Sequence, residues 1–198
     1  LGWHSLDSGA LYRVLACAAQ ARQLSLEDEP VLAELALNLE VQFIPDTASG
    51  ETRVMLDGTE VSSQLRTETT AKAASQLAVF PEVRKALLAK QHAFRQVPGL
   101  VADGRDMGTV VFPDATFKVF MTASAEERAQ RRYKQLKEKG IDANIESLTA
   151  EIAQRDQRDS SRSAAPLKAA PDALVIDTTG ISIEQVVAQI LTAISAQI

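Results

Sequence analysis

Three short apolar runs, Leu100-Val101-Ala102-Asp103, Phe117-Lys118-Val119-Phe120-Met121 and Leu174-Val175-Ile176-Asp177, constrain the fold more than any other feature of the chain. Runs this short and this poor in charge suit strands of a parallel sheet covered on both faces. Helical spacing follows two of them, starting from Ser124 and from Ser182 (Ile183, Val186, Val187, Ile190, Leu191, Ile194). Strand alternating with helix predicts an α/β core. Early in the chain the period changes. Leu11, Val14, Leu15 and Ala18 predict a helix, and Glu29 to Leu39 a second with Pro30 in its first turn. Alternation with period two then takes over in Val41–Ile44, Arg53–Leu56 and near Glu60-Val61, punctuated by Pro45, Gly50 and Asp57-Gly58. This reads as a small antiparallel meander with a tight turn at Asp57-Gly58. Helical spacing returns in residues 67–79 and 81–94, so an α+β module is inserted into the α/β core.

The formal net charge of −5 argues against a general nucleic-acid binder or a membrane-surface protein, so arginine-rich patches are local features on an acidic body. Local patches suit a small anion. With 45% hydrophobic residues in 198, the chain is long enough for one core with a small insert. The single cysteine, Cys17, lies in the apolar run Val14–Ala19, which reads as core and excludes a disulfide framework. That usage agrees with a reducing, cytoplasmic compartment. No apolar run reaches about 18 residues, and Leu1-Gly2-Trp3-His4 has no basic segment followed by an apolar one, so neither a membrane span nor a signal peptide is expected. The chain has no initiator Met and begins inside an apparent strand, which leads to a turn at Asp7-Ser8-Gly9; a preceding segment is expected. No long exposed apolar stripe demands a partner, and the expected state is a monomer.

Arg155, Arg158 and Arg162 recur at i, i+3 and i+7, which places three guanidiniums on one helical face. Such a face can capture phosphate oxygens in bidentate fashion, with the interleaved Asp156 and Asp159 holding the side chains in place. Taken alone, the run also fits a solvated helix with internal ion pairs. A second constellation, Asp103-Gly104-Arg105-Asp106-Met107-Gly108-Thr109, follows the strand at 100–103, and ligands of parallel sheets bind beyond the carboxyl ends of strands. Arg105 offers a fork and Asp106 an acceptor for an amino group or hydroxyl; an ordinary turn with a surface ion pair is the plainer reading. In Asp7-Ser8-Gly9-Ala10-Leu11-Tyr12-Arg13, a third strand-to-helix junction, Asp7 or Ser8 caps the helix and Arg13 lies one turn in. His4 and His92 read as a strand-end and a helix-surface residue.

These segments, with Leu65-Arg66-Thr67, Ala74-Ser75-Gln76, Pro81-Glu82-Val83-Arg84 and Asp103-Gly104-Arg105-Asp106-Met107-Gly108-Thr109-Val110-Val111-Phe112-Pro113-Asp114, stand in the order expected of bacterial cytidylate kinases, and the resemblance runs from Trp3 to about Ile190. It implies an α/β fold of the P-loop nucleoside monophosphate kinase type. Helices cover both faces of a parallel sheet; residues 1–34 and 96–198 form a discontinuous core, 35–95 an acceptor-binding insert and 154–163 a lid. The family's glycine-rich loop, Gly-x-x-x-x-Gly-Lys-Gly/Ser/Thr, which cradles the ATP phosphates, has no counterpart in residues 1–198. The expectation is therefore a chain that begins partway through a longer protein; a non-catalytic nucleotide-binding module is the literal alternative.

The resemblance also implies roles. Ser8 and Arg13 would touch the acceptor nucleotide, the arginine on its phosphate. Ser75, Arg84 and Asp106 would meet the cytosine, whose amino donor beside ring acceptors calls for a carboxylate and donors in complement. Arg105 would hold the phosphate, and Arg155 and Arg162 would contact acceptor phosphate and sugar from a mobile lid, the three arginines serving as catalytic groups, with Asp159 on the ribose side. Arg128, Arg132 and Arg158 would contact ATP, although nearby Glu126, Glu127 and Glu138 offer surface pairing instead. The implied reaction of pyrimidine metabolism is transfer of the γ-phosphoryl of ATP, with Mg²⁺, to CMP or dCMP, without a protein-bound structural metal. Another P-loop kinase, acting on AMP, UMP or a non-nucleotide such as shikimate, is the competing class.

Overall fold

The computed structural model describes residues 2–45, 52–138, 140–162 and 165–196. Its contacts divide the chain into two compact units, Leu1–Gly104 and Arg105–Ile198, each described here by itself.

In the first unit, strand β1 (His4–Asp7) runs straight into helix α1 (Ser8–Ala21). The switch occurs at Asp7, whose extended backbone and side-chain acceptor for the Ala10 amide make it the N-cap at 2.9 Å. Helix α1 was expected to bury one stripe, but it is enclosed nearly all round: Leu11, Val14, Leu15, Ala16 and Ala19 are fully buried. Its runs of alanine allow helices to approach closely, and α2 (Glu29–Leu37) and α4 (Glu68–Leu77) pack against it. Asp28 caps α2, with Pro30 in the first turn, and Asn38 ends the helix two residues before the expected boundary by binding the Glu34 carbonyl through both its amide groups.

The meander forms as expected from β2 (Val41–Pro45), β3 (Thr52–Leu56) and β4 (Thr59–Glu60), all antiparallel. Gly50, read as one of its breaks, lies outside the described residues. At the other turn Asp57 (φ 49°) and Gly58 (φ 78°) are both left-handed, as a two-residue hairpin loop matching strand twist requires. Helices α3 (Ser62–Leu65), α4 and α5 (Pro81–Ala93) complete the module, with Thr67 capping α4 and Pro81 opening α5. One core joins Val14, Leu15, Leu32, Leu77, Val83 and Leu87. Cys17 belongs to it, 3.8 Å from the Thr70 hydroxyl, and burial pushes its thiol pKa up. Strand β5 (Leu100–Asp103) pairs parallel with β1, setting Asp7 opposite Asp103 at the carboxyl ends.

In the second unit a π-helical turn (Met107–Val111) leads to β6 (Val119–Thr122), α6 (Ala125–Glu138), α7 (Ile145–Ser161), β7 (Leu174–Asp177) and α8 (Ile183–Ser195). Strands β6 and β7 are parallel, and Lys118 pins their start by donating to the Pro113 carbonyl and to Asp172, each at 2.7 Å. The expected Ser124 cap holds the Glu127 amide at 3.1 Å, and the hydrogen bonds around the Glu126 carboxylate, its own amide first and then Ser124, lower its pKa. Helices α6 and α7 share a small core of Ala129, Leu136 and Leu148. Ser182 and Gln185 form a reciprocal capping box at the start of α8.

Along these strands Val101, Met121 and Val175 are each more than half exposed, whereas Leu6 and Ile176 are buried.

Candidate active site

The arginine-rich end of α7 is built around a buried carboxylate. Asp159 is 4% exposed and has three guanidiniums about it. Arg105 Nε donates to its Oδ2 at 3.1 Å, Arg155 Nε stands 3.8 Å from Oδ2, and Arg162 Nη2 lies 3.9 Å from Oδ1. The main-chain carbonyl of Asp159 accepts from Arg162 Nε at 3.3 Å and from the Leu167 amide at 2.8 Å. Arg105, Arg155 and Arg162 thus gather about one buried acid. The Nη2 of Arg162 and the Nε of Arg158 are buried with no hydrogen-bond partner among the described residues. A buried guanidinium donor left open costs free energy, and an anionic oxygen would satisfy it.

Two details of the expected clamp differ. Arg155, Arg158 and Arg162 do not share one helical face, because α7 ends at Ser161 and Arg162 has left the helical conformation with ψ 134°. Its side chain folds back beneath the helix end, which is why it is buried. Asp156 does not steady its neighbours on α7; it takes the Arg128 guanidinium of α6 in a two-pronged pair, Arg128 Nη1 to Oδ1 at 2.9 Å and Nη2 to Oδ2. That hydrogen bonding raises the Arg128 pKa, with the Asp156 charge adding to it. Arg131, rather than Arg128, pairs with Glu127, at 2.9 Å. Arg132 sits half-buried on the same helix.

Asp106 heads the π-helical turn and is 5% exposed. Its carbonyl accepts from the amides of Val110 at 2.9 Å and Val111 at 3.2 Å, a wide turn that fixes both Asp106 and the adjoining Arg105. Gly108 leaves room there: a Cβ would lie 3.1 Å from the Lys118 side chain, which would have to shift although Pro113 and Asp172 anchor it.

In the Leu1–Gly104 unit, Ser8 is buried in the first turn of α1 and donates to Gln91 Oε1 of α5 at 2.7 Å. The sequence offered no signal for this partner, since a glutamine within a helix is ordinarily solvated. Ser75 is buried on α4, its hydroxyl without a partner among the described residues. Arg84, in the first turns of α5, donates from Nη1 to the Ala78 carbonyl at 3.2 Å. Arg13 is half-buried and lines a cavity of about 770 Å³ together with Trp3, Asp7, Phe43, Arg66 and Phe94. Ser75 and Arg84 are not part of that lining. The Phe43 and Phe94 rings meet edge to face at 5.6 Å.

Among the described residues no group of three or more His, Cys, Asp or Glu is arranged to hold a metal ion, and no helix is long and apolar enough to cross a membrane. The arrangement thus offers anion-binding donors in both units and carboxylates at Asp106 and Asp159.

Comparison with known proteins points the same way. The cytidylate kinase family model matches residues 1–196. A cytidylate kinase of Aeromonas salmonicida is 60% identical over 191 residues, covering 96% of this chain and 82% of the relative. One from Azotobacter vinelandii is 57% identical over 197 residues, covering 100% and 86%, and one from Shewanella denitrificans is 54% identical over 198 residues, covering 100% and 87%.

Proposed function

The chain belongs to the cytidylate kinase family, and from that footing we propose that it transfers the γ-phosphoryl group of ATP to CMP or dCMP, giving CDP or dCDP and ADP. Its fold is that of the P-loop nucleoside monophosphate kinases, an α/β architecture with parallel strands. The observation that carries the reading is the cluster of Arg105, Arg155 and Arg162 around the buried Asp159, with an open buried donor on Arg162.

An acceptor phosphate oxygen attacks the γ-phosphorus in line. The new P–O bond forms as the bond to the β,γ-bridging oxygen breaks, and the electron pair leaves with ADP. The attacking oxygen is already anionic, so no strong base is needed, and catalysis consists of positioning and charge compensation. Arg13 and Arg105 bind the acceptor phosphate, and Arg155 and Arg162 neutralise charge on the transferring group. Asp159 holds those guanidiniums in a fixed array and presents its carboxylate on the ribose side. Ser8, Ser75, Arg84 and Asp106 read the nucleoside, with the Asp106 carboxylate accepting from the cytosine amino group. Arg128, Arg132 and Arg158 serve ATP, of which Arg128 is held by Asp156. Magnesium enters on the triphosphate as part of the substrate. Residues 1–34 and 96–198 act as the core, 35–95 as the acceptor module and 154–163 as a lid that excludes water. The enzyme works as a monomer in the cytoplasm, a compartment that suits the free, buried thiol of Cys17.

The direct test measures ADP release from MgATP with CMP, dCMP, UMP and AMP as acceptors, beside calorimetric titration with each. Preference for CMP and dCMP is expected in both; preference for AMP would overturn the assignment.

A further inference from the structure

We propose that Lys118 is a positioning residue for recognition of the acceptor's base, setting the π-helical turn that Asp106 heads. This rests on the acceptor reading above and extends it to a side chain outside that set. The first observation is where Lys118 meets the turn. Its Nζ donates to the Pro113 carbonyl at 2.7 Å, just past the turn's end at Val111. Its stem lies against Gly108, the turn's second residue: a Cβ there would stand 3.1 Å from Cδ, 3.3 Å from Cγ and 3.6 Å from Cβ of Lys118. One side chain therefore touches the segment after Asp106 near its start and at its exit.

The second observation is how firmly Lys118 is itself held. Its side chain is 9% exposed, its Nζ also donates to Asp172 at 2.7 Å, and its main-chain carbonyl accepts from the Leu174 amide at 2.9 Å. Lysine ordinarily keeps its ammonium in water, so a covered stem with its head given to a main-chain carbonyl is a placed group. These partners tie it to the start of the β6–β7 pair. The third observation is that the turn can transmit a displacement. The Asp106 carbonyl accepts from the Val110 amide at 2.9 Å and the Val111 amide at 3.2 Å, the Met107 carbonyl accepts from Phe112, and Val111 and Phe112 are buried. A shift imposed at Gly108 or Pro113 thus reaches Asp106 through a hydrogen-bonded ring. Arg105, one residue earlier, has its own anchor in Asp159 at 3.1 Å, so the shift falls on Asp106. A carboxylate that accepts from an amino group must be placed to within about 0.5 Å, which is the work of a supporting side chain. CMP offers that amino group and UMP does not, so the effect falls on the difference between the two acceptors.

The intact protein and its Lys118→Met, Lys118→Arg, Gly108→Ala, Asp106→Ala and Asp106→Ala/Lys118→Met variants would be titrated calorimetrically with CMP and UMP, with steady-state rates measured alongside. Lys118→Met keeps the stem but donates nothing. Its CMP affinity should fall about 5- to 20-fold, with UMP affinity and kcat changed by less than about 2-fold. Lys118→Arg, which retains donors, should lose less. In the Asp106→Ala background Lys118→Met should leave the ratio of CMP to UMP affinity unaltered, because the lysine acts through that carboxylate. Equal weakening of both acceptors, or a fall in kcat with the ratio intact, would overturn the positioning role and leave Lys118 a brace of the strand pair. An unchanged ratio in Asp106→Ala would instead overturn the acceptor reading, and the proposal with it. Should Lys118→Met not fold, Gly108→Ala decides, since its Cβ presses on the same stem from the other side: an unaltered ratio there counts against the proposal.

Discussion

Arg105 and Asp159 lie 54 residues apart in sequence, yet the Arg105 Nε donates to the Asp159 Oδ2 at 3.1 Å. The contact ties the loop ahead of the π-helical turn to the last turn of α7. It means that Arg105, Arg155 and Arg162 share one carboxylate, and that their geometry depends on its charge.

Asp159→Asn should therefore destabilise the protein. Three guanidiniums would face one another without their common counter-ion, and removing one member of a buried ionic cluster costs roughly 2–4 kcal/mol when, as with Arg105 and Arg155, the partners are partly exposed. Urea denaturation gives the loss directly. Added inorganic phosphate should restore more stability to the variant than to the unmodified protein, since the anion replaces the missing charge. Equal phosphate effects on both would contradict the hub role.

Asp106→Ala and Arg162→Ala should separate base reading from charge handling. Asp106 is buried at the head of a rigid turn, and losing its acceptor should raise the KM for CMP about 10- to 100-fold and narrow the gap between CMP and UMP. Arg162 carries the open buried donor, and its loss should lower kcat about 100- to 1,000-fold. Steady-state constants with both acceptors check the split; an unchanged KM for CMP in the Asp106 variant would refute its role.

What the sequence made legible was governed by local physics. The Asp57-Gly58 turn, the proline-led starts of α2 and α5, the strand at Leu174–Asp177 and the helix start at Ser182 each depend on a few neighbouring residues, and each stands where the pattern put it. The candidate site stands in the sequence only as a set of residue types, proposed from spacing and from family resemblance. Its wiring was not. Asp156 chooses Arg128, 28 residues away, and Ser8 chooses Gln91, 83 residues away. Helical periodicity placed Arg162 on the face of Arg155, but the helix ends one residue earlier, and no signal short of the cap geometry marks that end.

Acid should weaken the Arg105–Ile198 unit through four exposed carboxylates, Glu126 already described and three more. The Asp172 pKa is lowered by its hydrogen bond from Lys118, that of Asp177 by the Thr179 hydroxyl, and that of Glu184 by Ser182. Groups whose folded pKa is depressed contribute stability above their ordinary values, 3.8 for Asp and 4.5 for Glu, and lose it as pH falls through the lower folded values. Stability should be flat from neutrality to about pH 5 on this account and decline below it. Thermal melts between pH 3 and 7 check this. Asp172→Asn and Asp177→Asn should each flatten the decline, and an unchanged slope would show that other groups govern it.

The buried pair of Ser8 and Gln91 yields the last prediction. Gln91 is 2% exposed and accepts the Ser8 hydroxyl at 2.7 Å, so it fixes the rotamer of a residue in the first turn of α1 while itself lying out of reach of solvent. Gln91→Leu keeps the volume and removes the acceptor, leaving a buried hydroxyl without its partner at a cost of about 1–3 kcal/mol. If Ser8 touches the acceptor nucleotide, its freed hydroxyl should also raise the KM for CMP several-fold while kcat changes little, because no transition-state charge is handled there. Gln91→Glu, which retains an acceptor oxygen, should recover most of the CMP affinity even where stability stays low. A stability loss in Gln91→Leu with an unaltered KM would confine this pair to holding α5 against α1.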